Sequence, residues 1–351
     1  MTNLEARPQE QVCAANPPGG GRPAVELIEP REVPLGGPRA MTVRRTLPTR
    51  QRSLVGPFCF LDHYGPDDIA EAGGMDVAPH PHTGLQTVTW LFEGAVLHQD
   101  SLGSVRTIRP GQLNLMTAGR GISHSEEGTL ARFPHQRTLH GVQLWTALPE
   151  GRRHGTGDFE HLAAVPTGET DGVRIQVFLG TLAGVTSPAR TYSPALAAQL
   201  DLPAGARFDL PVDPAFEHAV LVDRGEVTVA DVAVPAAWLG YLAPGRRRLP
   251  LRVGHHPARV VVIGGTPFAE QILMWWNFVG RTHDEVVAAR AEWQRVVAAS
   301  DGAGAAVPAA HHEQTRAAIA RFGAVPGYDG RPLPAPDLPN VRLRPRERPP
   351  G

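Results

Sequence analysis

The 351-residue chain contains no lysine; all 34 of its basic residues are arginine. Arginine and lysine are not interchangeable at a recognition site. A replacement this uniform, however, alongside abundant Ala, Gly, Pro and Val, reflects coding bias and marks no single position. Cysteine is nearly missing as well: Cys13 lies in a polar leader and Cys59 in an apolar run. Two such residues exclude a disulfide framework and fit a reducing compartment. Charge of one sign is not in excess, since the net value is -1. With no concentrated basic stripe and no helix-turn-helix cue, direct nucleic-acid binding is not expected. No segment approaches the roughly 18–20 apolar residues of a membrane span. The first 23 residues are polar and lack the apolar segment of a signal peptide. The expectation is a cytoplasmic protein with no membrane contact, and nothing in the chain demands more than a monomer.

Glycine (38) and proline (35) are plentiful and scattered. They punctuate short runs rich in Val, Leu, Ile and Thr, the texture of an all-β protein with many tight turns. Strands are expected at Ala24–Ile28, Met41–Arg45, Leu85–Leu91, Val96–Asp100, Val105–Arg109 and Leu139–Ala147. After a polar stretch a second set follows: Val173–Leu179, Ala197–Leu202, Ala219–Asp223, Val227–Val229, Trp238–Leu242 and Val260–Gly264. Gln86–Val96 aligns without a gap on Glu217–Val227, with Gly94 against Gly225. A Pro-Gly pair follows in each half, Pro110-Gly111 and Pro244-Gly245. The repeat predicts a duplicated β-barrel.

The expected organisation is a flexible leader (1–23), a first barrel (24–165), a second barrel with a helix (166–300) and a Pro/Gly-rich tail (301–351). The helix, over 283–300, has Val286, Ala289, Trp293, Val296 and Val297 on one side. Thr282 can cap it, with Glu285 completing a capping box. In the tail Phe322, Val325, Tyr328, Leu333, Leu338 and Val341 recur regularly, so an extended segment lying on the body is as reasonable as a free one.

The chemistry concentrates in Pro79-His80-Pro81-His82-Thr83-Gly84. Residues two apart on an extended chain point to one face, so His80 and His82 present two imidazoles side by side. The prolines restrain the backbone around them. His124-Ser125-Glu126 repeats the i, i+2 arrangement. Three imidazoles and a carboxylate suit Fe(II), Mn(II), Co(II), Ni(II), Cu(II) or Zn(II). On an octahedral ion they leave two open positions, whereas a structural zinc site is closed. In the second half Pro211 and Asp213 stand opposite His80 and His82, so that barrel is expected to lack a metal. His255 and His256 are adjacent, would face opposite sides of a strand, and are expected at the surface.

Three stretches, GPFCFLDHYGP (Gly56–Pro66), PHPHTGLQTVTWLFEGAVLHQDSLG (Pro79–Gly103) and PGQLNLMTAGRGISHSE (Pro110–Glu126), closely resemble the pirin family of the cupin superfamily. PFAEQILMWWNFVGRTHDEV (Pro267–Val286) resembles that family's C-terminal region, and the likeness runs from about residue 25 to 300. It implies an all-β bicupin, two cupin-type barrels with a C-terminal helix. It also implies one metal, usually iron, held in the first barrel by His80, His82, His124 and Glu126. Many pirins carry Glu where this chain has Gln86; pirins take their carboxylate from the later pair, so Gln86 is expected to tune hydrogen bonding around the metal rather than prevent binding.

The resemblance further implies quercetin 2,3-dioxygenase-type chemistry on a flavonol or similar enolisable aromatic, with O2 as co-substrate. Glu126 would serve as ligand or as the base that takes the substrate's 3-hydroxyl proton. The alternative it implies is a metal- or redox-sensitive regulatory protein that binds a transcriptional or metabolic partner without physiological turnover. Around this site His98 is a candidate to line the pocket or bond to a ligand, and His63 to cross the barrel mouth. Gly119-Arg120-Gly121 reads as a turn before His124, with Arg120 stabilising it or steering an anion. Cys59, between Phe58 and Phe60, reads as a core residue.

Overall fold

In the computed structural model, residues 11–13, 24–35, 41–300, 309–340 and 342–343 are described. Each half of the chain builds one seven-stranded and one four-stranded sheet. In the first half the larger sheet runs Asp158–Leu162, Leu113–Thr117, Leu85–Glu93, Thr138–Ala147, Phe58–Asp68, Met41–Leu47 and Arg31–Leu35. The smaller runs Met75–His82, Ile122–Gly128, Val96–Asp100 and Val105–Ile108. The second half repeats the pattern: its smaller sheet runs Arg207–Pro211, Arg248–Val253, Val227–Val229 and Val232–Val234.

The gapless alignment of the two halves holds in three dimensions. Leu85–Glu93 lies between Leu113–Thr117 and Thr138–Ala147, and Glu217–Arg224 lies likewise between Leu239–Leu242 and Ala258–Gly265. The Pro-Gly pairs are not equivalent: Pro110-Gly111 precedes Leu113–Thr117, whereas Pro244-Gly245 follows Leu239–Leu242. Gly94 and Gly225 have φ of 90° and 88°, left-handed values that favour glycine in the hairpin turn. One strand of the first half joins a sheet of the second. Glu26–Ile28, placed by the sequence with the first barrel, pairs with Leu239–Leu242 at the edge of the second barrel's larger sheet.

The interiors of the two barrels differ. The second holds one continuous apolar cluster that includes Phe208, Leu210, Val220, Val229, Leu249 and Val260. The first is split into two clusters. One contains Cys59, Phe60, Leu85, Met116, Ile122 and Trp145, and the other Val43, Tyr64, Met75, Val77, Leu91 and Leu139. Buried polar side chains, the histidines among them, fill the space between. The two larger sheets pack face to face through Phe58, Val88, Trp90, Leu144, Phe178 and Leu221. Trp90 stacks on Phe178 and its indole N–H donates to Gln199 across this layer (2.9 Å).

The helix His283–Ser300 forms over the expected span and buries Val286, Ala289, Trp293 and Val296. Thr282 Oγ1 accepts from the Glu285 amide, but the Glu285 carboxylate reaches back to the Arg281 amide, one residue earlier than in a regular capping box. Two segments differ from expectation. Gln11–Cys13, inside the leader expected to be flexible, pairs with Ile272–Met274. The tail opens with a helix, Ala309–Phe322, which the sequence pattern did not suggest. Among its buried residues Ala318 packs without projecting bulk, so Phe322 alone signals the apolar face. Beyond it the chain lies on the body: the Leu333 amide donates to Pro79 O (2.8 Å) and the Leu333 carbonyl accepts from Trp293 Nε1 (2.7 Å). Val341 lies outside the described residues.

Candidate metal centre

Among the described residues Met75–His82 is an edge strand paired with Ile122–Gly128 alone, a position that tolerates Pro79 and Pro81 because an outward-facing N–H is not needed there. The register sets His80 directly opposite His124 and His82 opposite Ile122. Between His124 and Glu126 it slips by one residue, so that Ala78 and Pro79 face Ser125 and Glu126 faces Val77. Such a bulge re-aims side chains near a site. Gly119 turns the chain into the ligand strand with φ of 53°; a Cβ there would lie 2.2 Å from the Gly155 carbonyl oxygen.

His80, His82 and His124 are fully buried, and one ring nitrogen from each lies within 4.8 Å of the others. Hydrogen bonds decide which nitrogen each of two rings offers. His80 Nδ1 donates to Ala78 O (2.9 Å), leaving its buried Nε2 without a hydrogen-bond partner. His124 Nδ1 is 3.3 Å from His98 Nδ1, and His98 Nε2 is 3.0 Å from Asp100 Oδ2. The tautomers that satisfy this chain have His98 donating to Asp100 and accepting from His124, which leaves the His124 Nε2 lone pair free. That atom lies 3.1 Å from His82 Nε2. Burial holds all three imidazoles well below the usual histidine pKa, which keeps them neutral and able to ligate. Soft-to-borderline nitrogen donors, convergent and deprotonated, fit a divalent transition metal.

Glu126 is buried on the same strand, but it is not a member of the close imidazole group. Its charge reaches Tyr64, whose hydroxyl is held well above its ordinary pKa by burial first and by Glu126 second. His98 bonds to His124, one of the candidate ligands. Asp100, which sequence reasoning missed, anchors it. Burial pushes Asp100 up, but hydrogen bonds from His98 and Ser104 outweigh it and lower its pKa. Phe159 stacks on His98 with ring centres 4.5 Å apart, and Trp145 meets His82 edge-on at 5.1 Å. Gln86 Nε2 donates to Thr117 Oγ1 and to the Arg190 carbonyl (3.0 and 3.1 Å), so its amide serves the barrel end.

His63 does not cross the mouth of this site. It sits on the strand Phe58–Asp68 and meets His140 and Asp223 instead. Arg120 is exposed beside a cavity of about 280 Å³ shared with Arg153, Arg321 and Phe278, and its carbonyl accepts from Arg321 Nε. Cys59 is buried, as expected of a core residue, and the adjacent Phe60 stacks on Trp145. Pro211, Asp213, His255 and His256 are all exposed.

Two family models match the chain, Pirin over residues 40–146 and the pirin C-terminal cupin domain over 197–298. A Pseudomonas aeruginosa protein named "Putative quercetin 2,3-dioxygenase PA1205" is 39% identical over 315 residues, covering 90% of this chain and 91% of that protein. The chain belongs to the pirin family. A pirin-like protein of Caulobacter vibrioides is 35% identical over 257 residues, or 72% of this chain and 88% of that one. Among solved structures, quercetin 2,3-dioxygenase from Acinetobacter baumannii superposes with a TM-score of 0.79 at 35% identity, covering 91% of this pirin and 98% of that chain. The bicupin architecture is thus shared with a protein carrying the dioxygenase name. Among the described residues of this pirin, no helix is long and apolar enough to cross a membrane.

Proposed function

We propose that this pirin is a metal-dependent oxygenase of the quercetin 2,3-dioxygenase type, acting with O2 on a flavonol or another flat, enolisable aromatic. Iron(II) is the metal we assign, held by His80, His82, His124 and Glu126. The observation that carries the reading is the convergence of three buried, neutral imidazoles, two of them fixed in the ligating tautomer by partners on their far nitrogens. When bound, the ion supplies Lewis acidity toward an enolate and a place for dioxygen to meet it.

The chain's own residues do the rest. Three neutral imidazoles and one carboxylate leave a divalent centre with net positive charge, which favours an anionic substrate oxygen. Glu126 is the buried carboxylate of the strand Ile122–Gly128, which also carries His124, and it closes the ligand set or accepts the substrate's hydroxyl proton. Trp145 meets His82 and Phe159 stacks on His98, and these aromatic side chains suit a planar ring.

Oxygen uptake by anaerobically iron-loaded protein given quercetin tests the reading, with a His80→Ala/His124→Ala double variant as control. Uptake by the wild type that the variant loses is expected. No uptake, with iron confirmed at one per chain, would overturn the enzyme reading and leave a metal-gated binding protein.

A further inference from the structure

A second group of ligand atoms lies at the seam between the barrels. His63 comes from the strand Phe58–Asp68, His140 from Thr138–Ala147, and Asp223 from Glu217–Arg224 of the other barrel. Nε2 of His63 is 3.2 Å from Nε2 of His140. Oδ1 of Asp223 is 2.9 Å from the first and 2.7 Å from the second. All three residues are at least nine-tenths buried, at 1%, 6% and 8% exposure. Asp223 sits where the pairing of its strand slips between Val222 and Arg224, a bulge that turns its side chain toward the first barrel.

Protons or a cation must lie between these two imidazole nitrogens and the carboxylate oxygen, because three bare lone pairs would repel at such distances. Either two ring protons lie there, crowded toward one oxygen, or a single cation does. Ligands about 2.1 Å from one divalent ion stand roughly 3.0–3.4 Å apart, close to the spacing here. The second oxygen of Asp223 is engaged by Arg259 Nη1 (3.4 Å), which leaves Oδ1 to the imidazoles. Arg259 is itself held by Asp201 (3.2 Å) and lies over Phe92, whose ring meets both histidines edge-on. The carboxylate is therefore oriented from behind, as ligands of bound metals commonly are.

We infer that His63, His140 and Asp223 form a second metal site, a two-histidine, one-carboxylate cradle for a zinc-class divalent ion that ties the two barrels together. Such a set leaves a fourth position for water. The slight exposure of His140 and Asp223 places that position on the solvent side. The site is independent of the centre at His80, His82 and His124.

The test uses the full-length chain carrying His80→Ala/His124→Ala, which removes the first centre. The protein is stripped with chelator, dialysed against micromolar free Zn²⁺ and analysed for bound metal. One zinc per chain is expected, and adding Asp223→Asn should weaken it at least ten-fold. His140→Gln serves as the second variant, with circular dichroism showing that each chain is folded. Cobalt(II) in place of zinc should give visible absorption that the same variants lose. No zinc in the double variant would overturn the site and leave a hydrogen-bonded triad. Zinc that survives both Asp223→Asn and His140→Gln would overturn it equally, because the ion would then be held elsewhere.

Discussion

The Nδ1 atoms of His98 and His124 lie 3.3 Å apart, and this contact makes the buried segment His98-Gln99-Asp100 a support for the candidate metal centre. Asp100 holds His98, and His98 holds the ring of His124, which we propose as a ligand. Asp100→Asn or His98→Gln should therefore weaken iron or nickel binding by about 10–100-fold while leaving the fold intact. Calorimetric metal titration of the two variants checks this. Unchanged affinity in both would show that His124 needs no such orientation.

Glu126 is buried on the strand that carries His124, and we propose that its carboxylate matters more for proton transfer than for holding the metal. Glu126→Gln should keep metal binding within about ten-fold of wild type, whereas its oxygen uptake should fall by at least about 100-fold, the scale of a lost general base. His82→Ala, by contrast, should lose the metal altogether. Parallel metal analysis and oxygen-electrode rates separate the two effects.

His218 is buried in the second barrel with neither ring nitrogen hydrogen-bonded, and burial lowers its pKa to about 4. Protonation is thus disfavoured in the folded state. Between pH 6.5 and 4 the unfolded chain binds more protons than the folded one, so stability falls as pH falls through that window. The loss contributed by this one group is about 3 kcal/mol. His218→Leu should flatten the stability curve there, and urea unfolding at a series of pH values measures it. An unchanged slope would assign the acid sensitivity to other groups.

Phe322 ends the tail helix with its ring buried against Trp293 and Phe278, and its carbonyl accepts from Ser123 Oγ (3.0 Å) beside His124. Phe322→Ala should destabilise the protein by about 3–5 kcal/mol, the usual cost of a large core deletion. Denaturant unfolding of the metal-free protein gives the number. A loss below about 1 kcal/mol would mean the tail is only loosely docked.

The pairs His80/His82 and His124/Glu126 were legible because a strand repeats every two residues, and the pirin motif named the same four positions. That His80 faces His124 depends on strand register, and the pairing slips at a bulge between His124 and Glu126; neither leaves a mark in local sequence. The strand Phe58–Asp68 escaped notice because Gly65, Pro66 and three aspartates interrupt its apolar pattern. His63 and Asp223 are 160 positions apart and meet only once two barrels pack face to face. The barrel repeat was readable from glycines, since Gly94 and Gly225 mark equivalent tight turns. The helix Ala309–Phe322 was not, because alanine supplies helix propensity without an amphipathic signal.

Anomalous diffraction from crystals soaked anaerobically in iron(II) bears most directly on the metal centre. The expected result is a peak at the iron edge about 2.1 Å from Nε2 of His80, His82 and His124. Absence of that peak in crystals shown by fluorescence to contain iron would contradict the assignment.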